Sequence, residues 1–235
     1  GYRFLDLFPE TKPIWVTMLR DPVDRVISNY YFWRQQAKLA IENEVELTRD
    51  IALTLEYDLY TYLIRPITTP PVHNRQARYL FDDATTISEK FDQTLSDNIL
   101  ETIKQRLTEE CTFLGITERY NESARLLYYT FGWRPYRMVH KKEINVTKDR
   151  PKINEIEPKI IDLIVEQNQL DIEIYQFAKD LFSTRYDTMI QRMLQQNYEH
   201  FFAQYFHPQS EISLRHDNPI FDTKEYAQGW YNNDG

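Results

Sequence analysis

Short apolar runs and helical stripes alternate along the chain. Residues 14–19 (IWVTML) and 111–116 (CTFLGI) are compact apolar runs, each short enough to form a buried strand. An aliphatic residue recurs every four positions from residue 47 to 63, which predicts one amphipathic helix over that range. Further helices are expected at about 74–81, 94–110 and 118–131, and from 157 almost to 207. Alternation of strands with helices, followed by a helix-rich C-terminal half, is typical of an α/β fold.

The first strand leads directly into the start of a helix. Arg20 and Asp21 follow the strand, and the Asp21-Pro22 pair combines a favoured N-cap with a favoured first helical residue, so a helix should begin at Pro22. In the last helical region, Asp171 is expected to cap the longer helix, with Ile172, Tyr175, Phe177, Ala178 and Phe182 facing inward.

An anion would suit the junction between this strand and helix. A helix N-terminus offers unpaired N–H groups and the positive end of a dipole. Arg20 can donate two hydrogen bonds to a phosphate, and Ser28 could add a hydroxyl. The spacing alone favours a second interpretation: Arg20 pairs with an acidic neighbour, and Asp21-Pro22 only starts a helix.

The amino-acid composition excludes several classes of protein and of binding site. A chain of 235 residues can form one sizeable domain with a full core. Its net charge of −8 argues against a nucleic-acid binder or a polybasic membrane-surface protein. The five glycines are too scattered for a glycine-rich nucleotide loop, and the histidines lack metal-binding spacing. The single cysteine, Cys111, excludes an intrachain disulfide and is expected to be a buried small hydrophobe.

Five segments together resemble one family. Residues 17–31 (TMLRDPVDRVISNYY) closely resemble the 3′-phosphate-binding segment of sulfotransferases, and more narrowly the family that contains the heparan sulfate 2-O-sulfotransferases and their bacterial relatives. Residues 74–80 (NRQARYL) resemble its Gln-x-Arg helix, and residues 113–123 (FLGITERYNES) its Gly-hydrophobic-Thr-Glu-Arg turn. The loop that returns to the nucleotide is similar to residues 145–151 (NVTKDRP), and the Asp-x-x-x-Tyr of the last helix to residues 171–175. The resemblance covers about residues 14–182.

The resemblance implies a fold and an activity. The fold would be the P-loop-NTPase-like sulfotransferase fold, a parallel sheet flanked by helices. The activity would be transfer of a sulfuryl group from 3′-phosphoadenosine 5′-phosphosulfate (PAPS) to a hydroxyl of a carbohydrate acceptor, without a metal. By this resemblance Arg20 and Ser28 would bind the 3′-phosphate of PAPS, and Thr147 and Lys148 would close over it. The substrate-binding candidates are Gln76, Arg78 and His140.

Two parts of the family pattern have no counterpart in the sequence. The N-terminal strand with its 5′-phosphosulfate loop, and the histidine that acts as base, would both fall before Gly1. We therefore expect an N-terminally truncated sulfotransferase domain over residues 1–207, followed by a polar tail over 208–235. The aromatic C-terminal helix is a candidate surface for a homodimer.

Other classes remain open at this stage. The chain could be a non-catalytic binding module that kept the nucleotide scaffold, or a P-loop kinase that uses ATP. The absence of a signal segment and the single cysteine favour a cytoplasmic bacterial enzyme, with a Golgi-lumenal catalytic domain as the alternative.

Overall fold

The computed structural model describes residues 14–65, 72–81, 97–133, 147 and 150–206. In chain order its elements are β1 (Trp15–Leu19), α1 (Pro22–Glu42), α2 (Arg49–Glu56), α3 (Leu59–Ile64), α4 (Arg75–Phe81), α5 (Asp97–Glu109), β2 (Cys111–Ile116), α6 (Tyr120–Phe131), α7 (Pro158–Gln167) and α8 (Gln169–Phe206). Single 3₁₀ turns cover Thr117–Arg119 and Ile153–Glu155.

The two strands pair in parallel. Trp15 lies opposite Cys111 and Leu19 opposite Ile116, so the carboxyl ends of both strands meet at one edge of the sheet. The strands approach closely at Gly115, where an added Cβ would lie 2.8 Å from Met18 Cγ. Parallel pairing across intervening helices agrees with the predicted α/β fold.

The start of helix α1 agrees with the sequence prediction, whereas the extent of the following helix does not. Helix α1 begins at Pro22 as expected, with the side chain of Asp21 accepting a hydrogen bond from the Asp24 amide. The single helix predicted over residues 47–63 is wrong, because the structure divides it into α2 and α3. The division falls at Asp58, whose side chain accepts the Thr61 amide at 2.7 Å and so starts a new helix.

Buried side chains form two clusters. The first lies between the sheet and helices α4, α5, α6 and α8, and includes Ile103, Leu114, Ile174 and Phe182. The second lies between α1 and helices α2, α3 and α7, and includes Ile27, Tyr62, Leu63 and Ile164. Since Leu19 belongs to the first and Val26 to the second, the β1–α1 junction joins the two clusters.

Helix α8 corrects two predictions. Asp171 does not cap its own helix; its carboxylate accepts the Gln76 and Ala77 amides at the start of α4. The buried isoleucine is Ile174 rather than Ile172, because the inward stripe continues from it at four-residue steps through Ala178 and Phe182, which are buried as predicted. None of the described helices, including the 38 residues of α8, is long and apolar enough to cross a membrane.

Candidate functional site

Arg20 and Ser28 meet at the carboxyl end of β1. The Arg20 side chain lies along the first turns of α1, where Nη1 donates to Ser28 Oγ at 3.0 Å. Its Nε donates to Asp24 Oδ2 at 2.6 Å, and Nη2 pairs with the same oxygen. Both interpretations from the sequence therefore describe part of the geometry: Arg20 pairs with an acidic neighbour, and it also lies beside the predicted hydroxyl.

A second arginine completes this group. Arg150 Nη2 pairs with the other oxygen of Asp24, Oδ1. A cavity of about 780 Å³ opens here, within the range typical of small-molecule sites, and is lined by Arg20, Asp24, Ser28, Thr147, Arg150, Pro151, Lys152, Ile153 and Asn154. Its lining has three cations and one carboxylate, so the cavity favours an anion.

The cavity brings together three of the predicted residues. Arg20, Ser28 and Thr147 line it, whereas Lys148 and His140 lie outside the described residues. Sequence reasoning missed Arg150 and Lys152. The available signal was their place in the same segment, since Arg150 follows Thr147 by three residues and directly precedes Pro151.

Gln76 holds the backbone of Arg20. Its buried side-chain amide accepts from the Arg20 N–H and donates to the Arg20 carbonyl, both at 2.9 Å. Both main-chain groups of Arg20 are thereby paired, which fixes where its side chain starts. Arg78, on the same helix, donates from Nε to the His73 carbonyl at 3.1 Å. A substrate-binding role for Gln76 and Arg78 stays a prediction.

A buried polar network ties helix α4 to helix α8. The Asp171 carboxylate accepts the Gln76 amide at 3.1 Å and the Ala77 amide at 2.7 Å, which caps α4 from another helix. Asn74, at φ 43°, accepts the Asp171 N–H through its side chain at 3.1 Å.

A cation balances the buried carboxylate. The Arg25 guanidinium lies 3.7 Å from Asp171 Oδ2 and donates to Asn168 Oδ1 at 3.3 Å. Burial raises the pKa of Asp171, and the charge of Arg25 and the two amide donors oppose that rise. The polar network therefore links α1, α4 and α8 behind Arg20.

Glu118 connects the same edge of the sheet to α8. Its Oε1 accepts the Asp21 N–H and its Oε2 accepts the Tyr175 hydroxyl, both at 2.8 Å. Burial and the neighbouring Glu118 raise the pKa of the Tyr175 phenol. Described residues from all five segments quoted from the sequence therefore contact one another near the carboxyl ends of the two strands.

The described residues include no group of three or more histidine, cysteine, aspartate or glutamate side chains that could hold a metal ion. A reaction without a metal stays a prediction.

Comparison with known proteins identifies two similar chains and no matching family model. Heparan-sulfate 6-O-sulfotransferase 2 of Danio rerio is 27% identical over 196 residues, which cover 76% of this chain and 40% of the relative. Heparan-sulfate 6-O-sulfotransferase 1-B of Danio rerio is 27% identical over 195 residues, covering 73% of this chain and 44% of the relative. The chain spans less than half the length of these curated relatives.

Proposed function

From its similarity to two sulfotransferases, we propose that the chain is a sulfotransferase that transfers a sulfuryl group from PAPS to a hydroxyl of a carbohydrate. The observation that carries the proposal is the grouping of Arg20, Ser28 and Arg150 around one cavity at the carboxyl end of β1. Ligands of parallel α/β sheets bind at that end of the strands.

In this proposal the cavity receives the 3′-phosphate of the nucleotide. Arg20 and Arg150 supply charge-assisted hydrogen bonds, which suit a phosphate because a guanidinium can donate to two oxygens at once. The hydroxyls of Ser28 and Thr147 complete the set, with Lys148 as a further predicted partner from the same segment. The N-terminus of α1 contributes the positive end of its dipole. We also propose that this chain has the P-loop-NTPase-like fold that the resemblance implies.

The reaction would be an in-line displacement at sulfur. A base takes the proton of the acceptor hydroxyl, and its oxygen attacks sulfur. The bond from sulfur to the 5′-phosphate oxygen breaks, and adenosine 3′,5′-bisphosphate (PAP) leaves with that electron pair. The residues assigned above bind and orient the nucleotide, which also lowers the entropic cost of reaching the reacting geometry. None of the residues assigned above acts as the base or holds the 5′-phosphosulfate.

The acceptor in this proposal is a glycan. The two relatives are named for heparan sulfate and its 6-O position, whereas the sequence motifs more narrowly resemble the 2-O family. The relatives and the motif resemblance agree on a carbohydrate acceptor. The two relatives come from a fish and give no support to a bacterial source. A cytoplasmic location stays a prediction that rests on cysteine usage.

Thermal unfolding with and without nucleotide tests the 3′-phosphate site. A ligand that binds only the folded chain raises its free energy of unfolding, by about 2.7 kcal/mol at a hundred times its dissociation constant. PAP should therefore raise the midpoint, and ATP, which lacks a ribose 3′-phosphate, should not. Arg20→Ala should lose the PAP response, while Arg192→Ala, an exposed arginine on α8, should keep it.

Two other results would each favour a different class. An equal rise with ATP and PAP would favour a kinase-like nucleotide site over a sulfotransferase site. No response to either nucleotide by the folded chain would favour a non-catalytic module that kept the scaffold.

A further inference from the structure

Asp24 lies inside the cationic cavity, bound to both arginines that line it. Arg20 Nε donates to its Oδ2 at 2.6 Å, and Arg150 pairs with its Oδ1. The carboxylate is only 21% exposed and belongs to the first turn of α1. It therefore occupies the groups that would otherwise attract an anionic ligand.

This carboxylate also connects distant parts of the chain. Arg150 lies 126 residues after Asp24, and their ion pair holds the 150–154 segment against the β1–α1 junction. Within the described part of the chain, the buried Arg150 Nε has no hydrogen-bond partner.

We propose that Asp24 is a built-in counter-anion of the donor site, which holds Arg20 and Arg150 in place until the 3′-phosphate takes over their charge. This inference rests on the proposed function. A phosphate monoester carries about one and a half to two negative charges. It therefore competes well with the single charge of the Asp24 carboxylate for the two guanidinium groups. Its charge is repelled by the carboxylate that remains nearby.

Two consequences follow for binding. Asp24 preorganises the arginines, which reduces the ordering cost when the nucleotide arrives. It also lowers the net affinity, because the ion pairs with Arg20 and Arg150 are lost or weakened in the complex. A weaker complex releases the product nucleotide faster, since affinity differences among related complexes lie mostly in the dissociation rate.

The alternative role for Asp24 makes the opposite prediction. Asp24 takes the Nε and Nη2 edge of Arg20, so it could remain there and simply orient the guanidinium toward the ligand. If Asp24 remains paired with Arg20 in the complex, it supports nucleotide binding, and removing its charge would lower the affinity for PAP.

Isothermal titration of the full chain with PAP, at constant ionic strength, separates the two roles. Asp24→Asn keeps the shape of the side chain and removes its charge. We expect this variant to bind PAP about three- to tenfold more tightly, since two partly exposed ion pairs no longer compete with the phosphate. Adenosine 5′-phosphate, which lacks the 3′-phosphate, should gain less than about twofold on the same grounds.

The matched control is Asp187→Asn, which removes an exposed carboxylate from α8 and should leave the affinity for PAP unchanged. Asp24→Ser is the second variant, used if Asp24→Asn lacks the native circular dichroism spectrum. Equal or weaker binding of PAP by a folded Asp24 variant would overturn the counter-anion role. Failure of the wild-type chain to bind PAP would overturn the proposed function itself, and this inference with it.

Discussion

At Arg20, the main chain and the side chain are held by different parts of the molecule. The backbone N–H and C=O pair with the Gln76 amide, whereas the guanidinium pairs with Asp24 and Ser28 on α1. An arginine side chain has four rotatable bonds, and fixing it costs up to about 2 kcal/mol of conformational entropy. Because these contacts already exist in the free chain, part of that cost falls on folding rather than on ligand binding.

The reactivity of Cys111 can be predicted from its burial. Its thiol is buried and donates to the Phe113 carbonyl, and burial raises its pKa to about 11. At pH 8 about one thiol in a thousand would then be a thiolate, which is the reactive form. We expect iodoacetamide to modify the native chain at least about a hundredfold more slowly than the chain in denaturant, as measured by intact mass.

Since Cys111 is the chain's single cysteine, every adduct reports on this position. Rapid labelling of the native chain at pH 8 would contradict the burial of this thiol.

At the scale of elements, α4 depends on its neighbours. It has seven residues, too few for a helix to be stable alone in water. Its first amides are capped by Asp171 of α8, and its Gln76 bonds the backbone of Arg20 directly after β1. The short helix therefore transmits the position of α8 to the backbone of Arg20.

Replacing Asp171 should loosen this connection. Asp171→Asn removes the buried counter-charge of Arg25, whose side chain is 13% exposed, and weakens the cap on α4. Breaking a buried ion pair typically lowers the free energy of unfolding by about 3 kcal/mol. Urea unfolding measures this loss, and titration of the folded variant should also show weaker PAP binding because Arg20 is less well placed. Asp180→Asn, exposed on the same helix, is the control and should change neither quantity.

A loss below about 0.5 kcal/mol, the size usual for surface substitutions, would mean that the network has no structural role.

At the scale of the whole molecule, the two buried clusters meet at the site, while the distal half of α8 presents an apolar stripe. Ile190, Met193 and Leu194 are 38%, 44% and 63% exposed and follow the three- and four-residue spacing of one helix face. Exposed apolar stripes of this kind are typical of association surfaces. The homodimer predicted through the aromatic C-terminal part of this helix would also bury this stripe.

Light scattering coupled to size-exclusion chromatography tests that expectation. The chain should elute with the mass of a dimer, and Leu194→Glu should shift it toward the monomer because a charge would be buried in the apolar contact. Thr188→Glu, placed on roughly the opposite side of the helix, should leave the mass unchanged. A wild-type monomer across the accessible concentrations would disprove the homodimer.

Local signals account for what the sequence predicted correctly. The position of strand β1, the helix start at Pro22 and the proximity of Arg20 and Ser28 all depend on residues within fifteen positions of one another. The expectation that the strand is buried is wrong, because Val16 and Met18 are 51% and 42% exposed. The Gln76 contact with Arg20 spans 56 positions and the Arg150–Asp24 pair spans 126, so tertiary packing decides them and no local pattern could. Asp171 illustrates the same limit, since its residue type indicated a cap but not which helix it would cap. The break at Asp58 had a local signal that the four-residue apolar spacing concealed.

Glu118 has a consequence that arises from covalent geometry. Its two carboxylate oxygens are separated by a fixed distance of about 2.2 Å, which follows from standard bond lengths. One oxygen accepts the amide of Asp21 at the entrance of α1, and the other accepts the phenol of Tyr175 on α8. A single side chain therefore connects the start of α1 to α8, two helices that are far apart in the sequence. An aspartate at this position, shorter by one methylene, would reach only one of them, and α1 and α8 would then be joined only by contacts further from the start of α1, such as Arg25 with Asp171.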